Sequence, residues 1–215
     1  MATGATPTPK RSIVYNDGFN IYYGAIKGGP HKWLNLERYF RFLRPNDNIV
    51  AIRYFTALVS GPTRSNQATY LRALETLPLV EIVLGLYKRK QVTCKVPLCM
   101  HAGSRVFQVQ EEKRTDVNVG VQMLDDAYQD LCDRFVLVSG DSDLVPAVNI
   151  VKTRFPAKEI VLHVPARNAT RGAVVELRGA VDKDRLLPLN LLGSSLFPAT
   201  VIDGSGAKIT KPAGW

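Results

Sequence analysis

The 215-residue chain is poor in cysteine, with Cys94, Cys99 and Cys132 its only three. An odd, low count without a signal segment excludes a disulfide framework and points to a reducing, cytoplasmic setting. No run reaches the roughly 18 apolar residues that a membrane-crossing helix needs, so no membrane partner is expected. The opening MATGATPTPKRS has no apolar core of a secretory signal. It is rich in Thr, Pro and Ala, which predicts a disordered tail over residues 1–11. No G-x-G-x-x-G follows the first apolar run, although Gly24, Gly28 and Gly29 cluster after it, and this argues against a nicotinamide enzyme. Acidic residues are outnumbered, 19 to 28, leaving a net charge of +9. That surplus favours an anionic partner, nucleic acid first and a membrane surface second.

Apolar residues make up 46% and charged residues 22%, as in a globular domain with a real core. The most informative stretch is FVLVSGDSD, residues 135–143. Its apolar run reads as a short buried strand, Ser139-Gly140 break it, and Asp141 and Asp143 follow. A helix over 144–155 comes next, with Leu144, Val148 and Val151 on one face and Pro146 in its first turn. An Asp at such a turn often does no more than cap the helix. Elsewhere, strands are predicted over 12–15, 49–57, 79–87, 159–164 and 185–189. Helices are predicted over 35–43, 63–77 and 116–132, with part of another at Ala173–Leu177. The longest would bury Val117, Val121, Leu124, Tyr128 and Leu131 and leave Asp125, Asp126 and Asp130 in solvent. Residues 88–97 and 105–110 read as two arms of a hairpin. One domain is expected over 12–192, then an irregular extension over 193–215. Alternating strands and helices imply a mainly parallel sheet covered on both faces.

Three groups of acids then coincide. Asp17 ends the first strand, Asp116 starts the long helix, and Asp141 and Asp143 follow the strand at 135–138. In a doubly wound sheet these positions share one edge. Like charges about 4 Å apart cost on the order of 4 kcal/mol at an effective dielectric near 20, so a converging set needs a cation or raised pKa values. Oxygen ligands alone favour Mg²⁺ or Mn²⁺. An acidic metal site in a basic protein suggests phosphodiester hydrolysis. Asn20 and Ser139 suit the role of orienting a ligating carboxylate. Glu112 is either a fifth acid or a hairpin-edge residue paired with Lys113.

The segments VYNDGFNIYYG (14–24), EEKRTDVNVGVQMLDDA (111–127) and FVLVSGDSDLVPAV (135–148) resemble the three motifs of the NYN domain, a LabA-like branch of the PIN-like nuclease superfamily. The resemblance implies a Rossmann-like, PIN-type α/β/α sandwich with an inserted β-hairpin, a Mg²⁺ or Mn²⁺ site and ribonuclease activity. The family's acidic positions fall on Asp17, Asp116, Asp141 and Asp143, and its DGxN asparagine on Asn20. Thr115, beside Asp116 in the second motif, joins Asn20, Ser139 and Glu112 as a supporting residue.

Lys88, Arg89 and Lys90, with Lys113 and Arg114, flank the hairpin and suit the phosphates of single-stranded RNA. A charged hairpin that protects a sheet edge is the plainer reading. Trp33, near Lys27, His31 and Lys32, could stack a base or serve as a packing anchor. Cys94, Cys99 and His101 have too few companions for an ordinary structural zinc site. Together these features predict a metal-dependent ribonuclease. The alternatives are a non-cleaving RNA-binding or regulatory protein of the same fold, and a metal-dependent enzyme acting on a small anionic substrate. Self-association as a homodimer is compatible with all three.

Overall fold

The computed structural model describes residues 8–166 and 175–215. Its strands are β1 (Arg11–Asp17), β2 (Asn48–Thr56), β3 (Val80–Leu84), β4 (Leu86–Thr93), β5 (Val106–Lys113), β6 (Arg134–Val138), β7 (Glu159–Val164), β8 (Lys183–Leu186), β9 (Thr200–Ile202) and β10 (Lys208–Thr210). The helices are α1 (Gly18–Ile21), continued by a π-helical turn at Tyr22–Ile26, then α2 (Leu36–Leu43), α3 (Arg64–Leu74), α4 (Thr115–Tyr128), α5 (Val145–Arg154) and α6 (Val175–Ala180). The tail expected over residues 1–11 lies largely outside the described residues, as does the start of the helix expected at Ala173.

Six strands form one sheet in the order β3-β2-β1-β6-β7-β8, and every pairing in it is parallel. The central strands are apolar on both faces because both faces are covered. Val14, Ile52, Tyr54 and Val136 pack under α1, α2 and α3, whereas Ile13, Phe55, Phe135 and Leu137 pack under α4, α5 and α6. This is the expected PIN-like α/β/α sandwich. Asn35 caps α2 by accepting the Arg38 N–H, and Pro146 sits in the first turn of α5, where no N–H is needed.

The strand expected over 79–87 is interrupted at Gly85, where the hairpin β4–β5 leaves the sheet. An added Cβ at Gly85 would lie 2.6 Å from the Thr115 Oγ1 and 2.9 Å from the Lys113 carbonyl oxygen. Only glycine lets the outgoing and returning strands come this close. The hairpin arms extend further towards the sheet than expected, to Leu86 and Lys113. At the other end of the chain, residues 193–215 are more ordered than an irregular extension. There β9 and β10 pair antiparallel, and Ile209 and Phe197 are buried in the core beside α2 and α3.

The face of α4 differs most from the expectation. Val117, Val121 and Tyr128 are 66%, 60% and 64% exposed, while Thr115, Val119, Met123 and Ala127 are buried together with Asp126. Asp126 is therefore not a solvated residue. It is 0% exposed, takes two bonds from the Arg53 guanidinium at 2.7 and 2.8 Å, and accepts the Tyr15 hydroxyl at 2.5 Å. Arg53 also pairs with Glu81. Asp125 and Asp130 are exposed, as expected. The helix turned its charge inward because a strand 73 residues earlier carries the partner.

Candidate metal centre

The strand order reverses between β1 and β6, which makes their carboxyl ends the switch point where open α/β sheets bind ligands. Asp17 is the last residue of β1, Asp141 and Asp143 lie just beyond β6, and Asp116 is in the first turn of α4. Carboxylate oxygens of Asp116, Asp141 and Asp143 all lie within 4.8 Å of one another. Asp116 and Asp141 are half-buried and Asp143 is exposed, so the group opens to solvent on one side.

The electrostatics fit a cation. Burial, and then the neighbouring charges of Asp141, Glu112, Asp17 and Asp143, push the Asp116 carboxyl up to about 6. Without a metal, Asp116 therefore keeps its proton to a higher pH than a free carboxyl does. An all-carboxylate donor set, with no imidazole or thiolate, suits Mg²⁺ or Mn²⁺ and not a softer ion. In the metal-free fold Asp116 holds its proton over a window, from about 4 to about 6, in which the unfolded chain has already lost it. The native state then binds more protons, so the stability this group contributes falls as pH rises through the window. The melting temperature of metal-free wild type should therefore fall more steeply between about pH 4 and pH 6 than that of Asp116→Asn. Parallel profiles would show that Asp116 does not carry this charge conflict.

Asp17 stands beside this trio, and its charge also acts on Asp116. Its Oδ1 accepts the N–H groups of Phe19 and Asn20 at 3.0 Å each, and its Oδ2 accepts the Asn20 amide at 2.6 Å and the Ser139 hydroxyl at 3.1 Å. Those four bonds fill its acceptor sites. Even so, burial raises its pKa. Asn20 also accepts the Gly140 N–H at 3.1 Å, and the Ser139 hydroxyl oxygen accepts the Asp141 N–H at 3.1 Å. Asn20 and Ser139 therefore clamp the end of β1 to the turn that carries Asp141. Gly18 is needed for the same closeness, since a Cβ there would sit 2.8 Å from the Phe55 carbonyl oxygen and the Tyr54 ring.

Asp141 is also a cap, accepting the Asp143 N–H at 3.0 Å. Glu112 accepts the Thr115 N–H at the start of α4, while Lys113 pairs with Glu111, so the Glu112–Lys113 pair, one of the two readings of Glu112, is not formed. Thr115 is buried against Gly85 and its hydroxyl has no hydrogen-bond partner among the described residues. The Arg114 φ of 76° gives the left-handed turn that swings the chain from the hairpin into α4 and brings Asp116 to the site.

Of the five basic hairpin residues, Lys90 and Lys113 both pair with Glu111. Lys88, Arg89 and Arg114 have no ion pair among the described residues. Strand alternation puts Lys88 and Lys90 on one face of β4 and Arg89 on the other. Trp33 is 1% exposed and its Nε1–H donates to the Pro198 carbonyl at 2.8 Å, so it is a packing anchor and not a base-stacking platform. His101 packs on Phe107. Among the described residues, the group of close metal-ligating side chains is the Asp trio, and it does not include Cys94, Cys99 or His101.

Sequence reasoning missed Arg53 and its buried partner, although the signal was present: a charge inside the apolar run IVAIRYFTA needs a counter-charge in the core. It also missed the aromatic residues Tyr22, Tyr54, Tyr70 and Trp215, which meet around a cavity next to Gly18.

The sheet order and the acids at its switch point define a PIN-like nuclease fold. Within that class the chain belongs to the NYN domain family, whose model matches residues 11–183. It is also similar to the 6-hydroxy-3-succinoylpyridine 3-monooxygenase of Pseudomonas putida, with 29% identity over 200 residues. That match covers 79% of this chain and 64% of the relative, so the chain spans less than two thirds of the relative's length. Among solved structures, a protein of unknown function from Vibrio parahaemolyticus shares the fold. Its TM-score is 0.55 at 16% identity, covering 85% of this chain and 96% of that one. No helix among the described residues is long and apolar enough to cross a membrane.

Proposed function

We propose that the protein is a metal-dependent ribonuclease. The observation that carries this reading is the carboxylate trio within 4.8 Å at the switch point of a basic NYN-family chain. Binding RNA phosphates alone gains nothing from clustered negative charge, which favours catalysis over a non-cleaving binding role. Asp116, Asp141 and Asp143 would hold Mg²⁺ or Mn²⁺, and the ion, when bound, supplies Lewis acidity and a lowered pKa for water. Asp17 holds Asn20 and the Ser139 turn in place, and through Ser139 it positions Asp141. A bound cation would favour the ionised form of Asp116. The test is purified protein with labelled single-stranded RNA in Mn²⁺, Mg²⁺ or EDTA. Cleavage that depends on metal supports the reading, and intact RNA in all three overturns it.

The hairpin supplies the positive rim in this reading. Lys88 and Arg89 on β4 have no ion pair among the described residues, so Lys88→Ala with Arg89→Ala should flatten the salt dependence of RNA binding by up to about 0.7 per lost phosphate contact. The loss should be similar across RNA sequences, because phosphate contacts position a strand without reading bases. Binding titrations at several salt concentrations, in an Asp141→Asn background, measure it. An unchanged slope would leave the hairpin as a solubilising edge.

A second reading rests on the Pseudomonas relative, whose name specifies a small pyridine substrate. In it the same acidic site serves a metal-dependent reaction on a small anionic aromatic compound. Turnover of such a compound by protein that leaves RNA intact would favour it.

A further inference from the structure

A cavity of about 210 Å³ lies against the first turn after β1. Its wall begins with Gly18 and Phe19, the two residues that follow Asp17, and continues through Tyr22, Tyr54, Tyr70 and Trp215. Tyr54 and Tyr70 meet edge to face at 6.4 Å, and Trp215 leans on Tyr70 at 5.6 Å, so the rings form a braced set. The volume is below the roughly 300–1,000 Å³ of sites for drug-sized ligands, which limits the occupant to about one ring system. Faces of this kind favour stacking with another flat ring.

The polar groups of the cavity are mostly committed. Gln67 accepts the Val59 N–H and donates to the Ala57 carbonyl, and the Tyr70 hydroxyl donates to the Leu34 carbonyl. Lys32 is different: it lines the cavity half-buried and has no ion pair among the described residues. An aromatic slot with one uncommitted ammonium suits a ring that carries a negative substituent.

We infer that this cavity binds a planar aromatic ring bearing an anionic group, with the ring held between the Tyr22, Tyr54, Tyr70 and Trp215 side chains and the anion at Lys32. The ligand is either a nucleotide, giving RNA a base position at the turn after Asp17 on the same sheet edge as the acidic trio, or a free aromatic acid. The inference deepens the reading of that trio as a catalytic site and rests on it for its biological meaning, but it can be tested without metal. Trp33 and Trp215 are the two tryptophans of the chain, and their rings meet at 6.5 Å, so intrinsic fluorescence reports on this cavity.

Full-length protein in EDTA is titrated with uridine 5′-monophosphate, pyridine-3-carboxylate, uridine and ribose 5-phosphate. Saturable quenching by either anionic ring is expected, with weaker binding of uridine and none of ribose 5-phosphate. Response to the nucleotide alone identifies a base site, and response to the pyridine acid alone identifies a small aromatic acid. Lys32→Met, at a half-exposed position, should weaken the anionic ring at least tenfold while leaving uridine unchanged. Val59→Phe, which intrudes at the rim, should weaken every ring. No saturable binding, equal binding of ribose 5-phosphate, or binding unaffected by both variants would overturn the inference and leave the cavity a packing gap. Because no metal is present, that failure is separate from failure of RNA cleavage.

Discussion

Asp126→Ala should be the most destabilising single change in the described part of this protein. It strands the Arg53 guanidinium in a site where burial leaves it little water, and it removes the acceptor of the Tyr15 hydroxyl. Breaking one side of a buried ion pair typically costs about 3–5 kcal/mol. Glu81 stays bound to Arg53 from the exposed side of the sheet edge, which favours the lower end. For a chain of this size the loss corresponds to roughly 6–20 °C in melting temperature. Adding Arg53→Met should restore much of it, because an apolar pair avoids the desolvation cost altogether. A thermal melt of the two single variants and the double variant measures the coupling. Additive losses would mean that Arg53 and Asp126 do not act as a pair.

The second large effect is on activity. Asp141→Asn keeps a side-chain oxygen to cap the turn but removes one of three charges from the candidate metal centre. Metal-dependent RNA cleavage should fall more than about 100-fold, the upper end of the loss seen when only a supporting outer group is removed. Mn²⁺ affinity measured by calorimetry should fall with it, while the melting temperature of the metal-free protein stays level or rises as repulsion is relieved. Asp17→Ala should behave differently. It leaves the Phe19 and Asn20 N–H groups without their cap, a loss of about 0.5–2 kcal/mol, and frees the clamp on the Ser139 turn. Wild-type Mn²⁺ affinity in Asp141→Asn would show that the metal site lies elsewhere.

Local patterns made the convergence of acids at the candidate site legible in the sequence. Asp17-Gly18 and Ser139-Gly140-Asp141 each end an apolar run, and a turn after a buried strand can point only to the sheet edge. Asp116 was legible because it starts the clearest helix. The orientation of that helix was not. Val117, Val121 and Tyr128 form a stripe as regular as a buried one, yet the face that packs carries Asp126, whose buried charge is matched by Arg53 on β2 and bonded by Tyr15 on β1. Pairings across 73 residues leave no periodic trace. The β9–β10 hairpin was hidden for another reason: its strands are three residues each, too short for alternation to show. Its turn did leave a mark, since Asp203 accepts the N–H groups of Ser205 and Ala207.

The central position of β1 affects how the chain is made. β1 is made before every other strand of the sheet, yet one of its two edges waits for β6, with Ser12 opposite Arg134 and Asn16 opposite Val138. At about 5–20 residues per second, the intervening 120 or so residues take roughly 6–24 s to synthesise. For that interval the edge of Ile13, Val14 and Tyr15 is open to any other extended chain. The yield of soluble protein should therefore respond to translation rate and to chaperones that shield residues 11–56 until β6 is made.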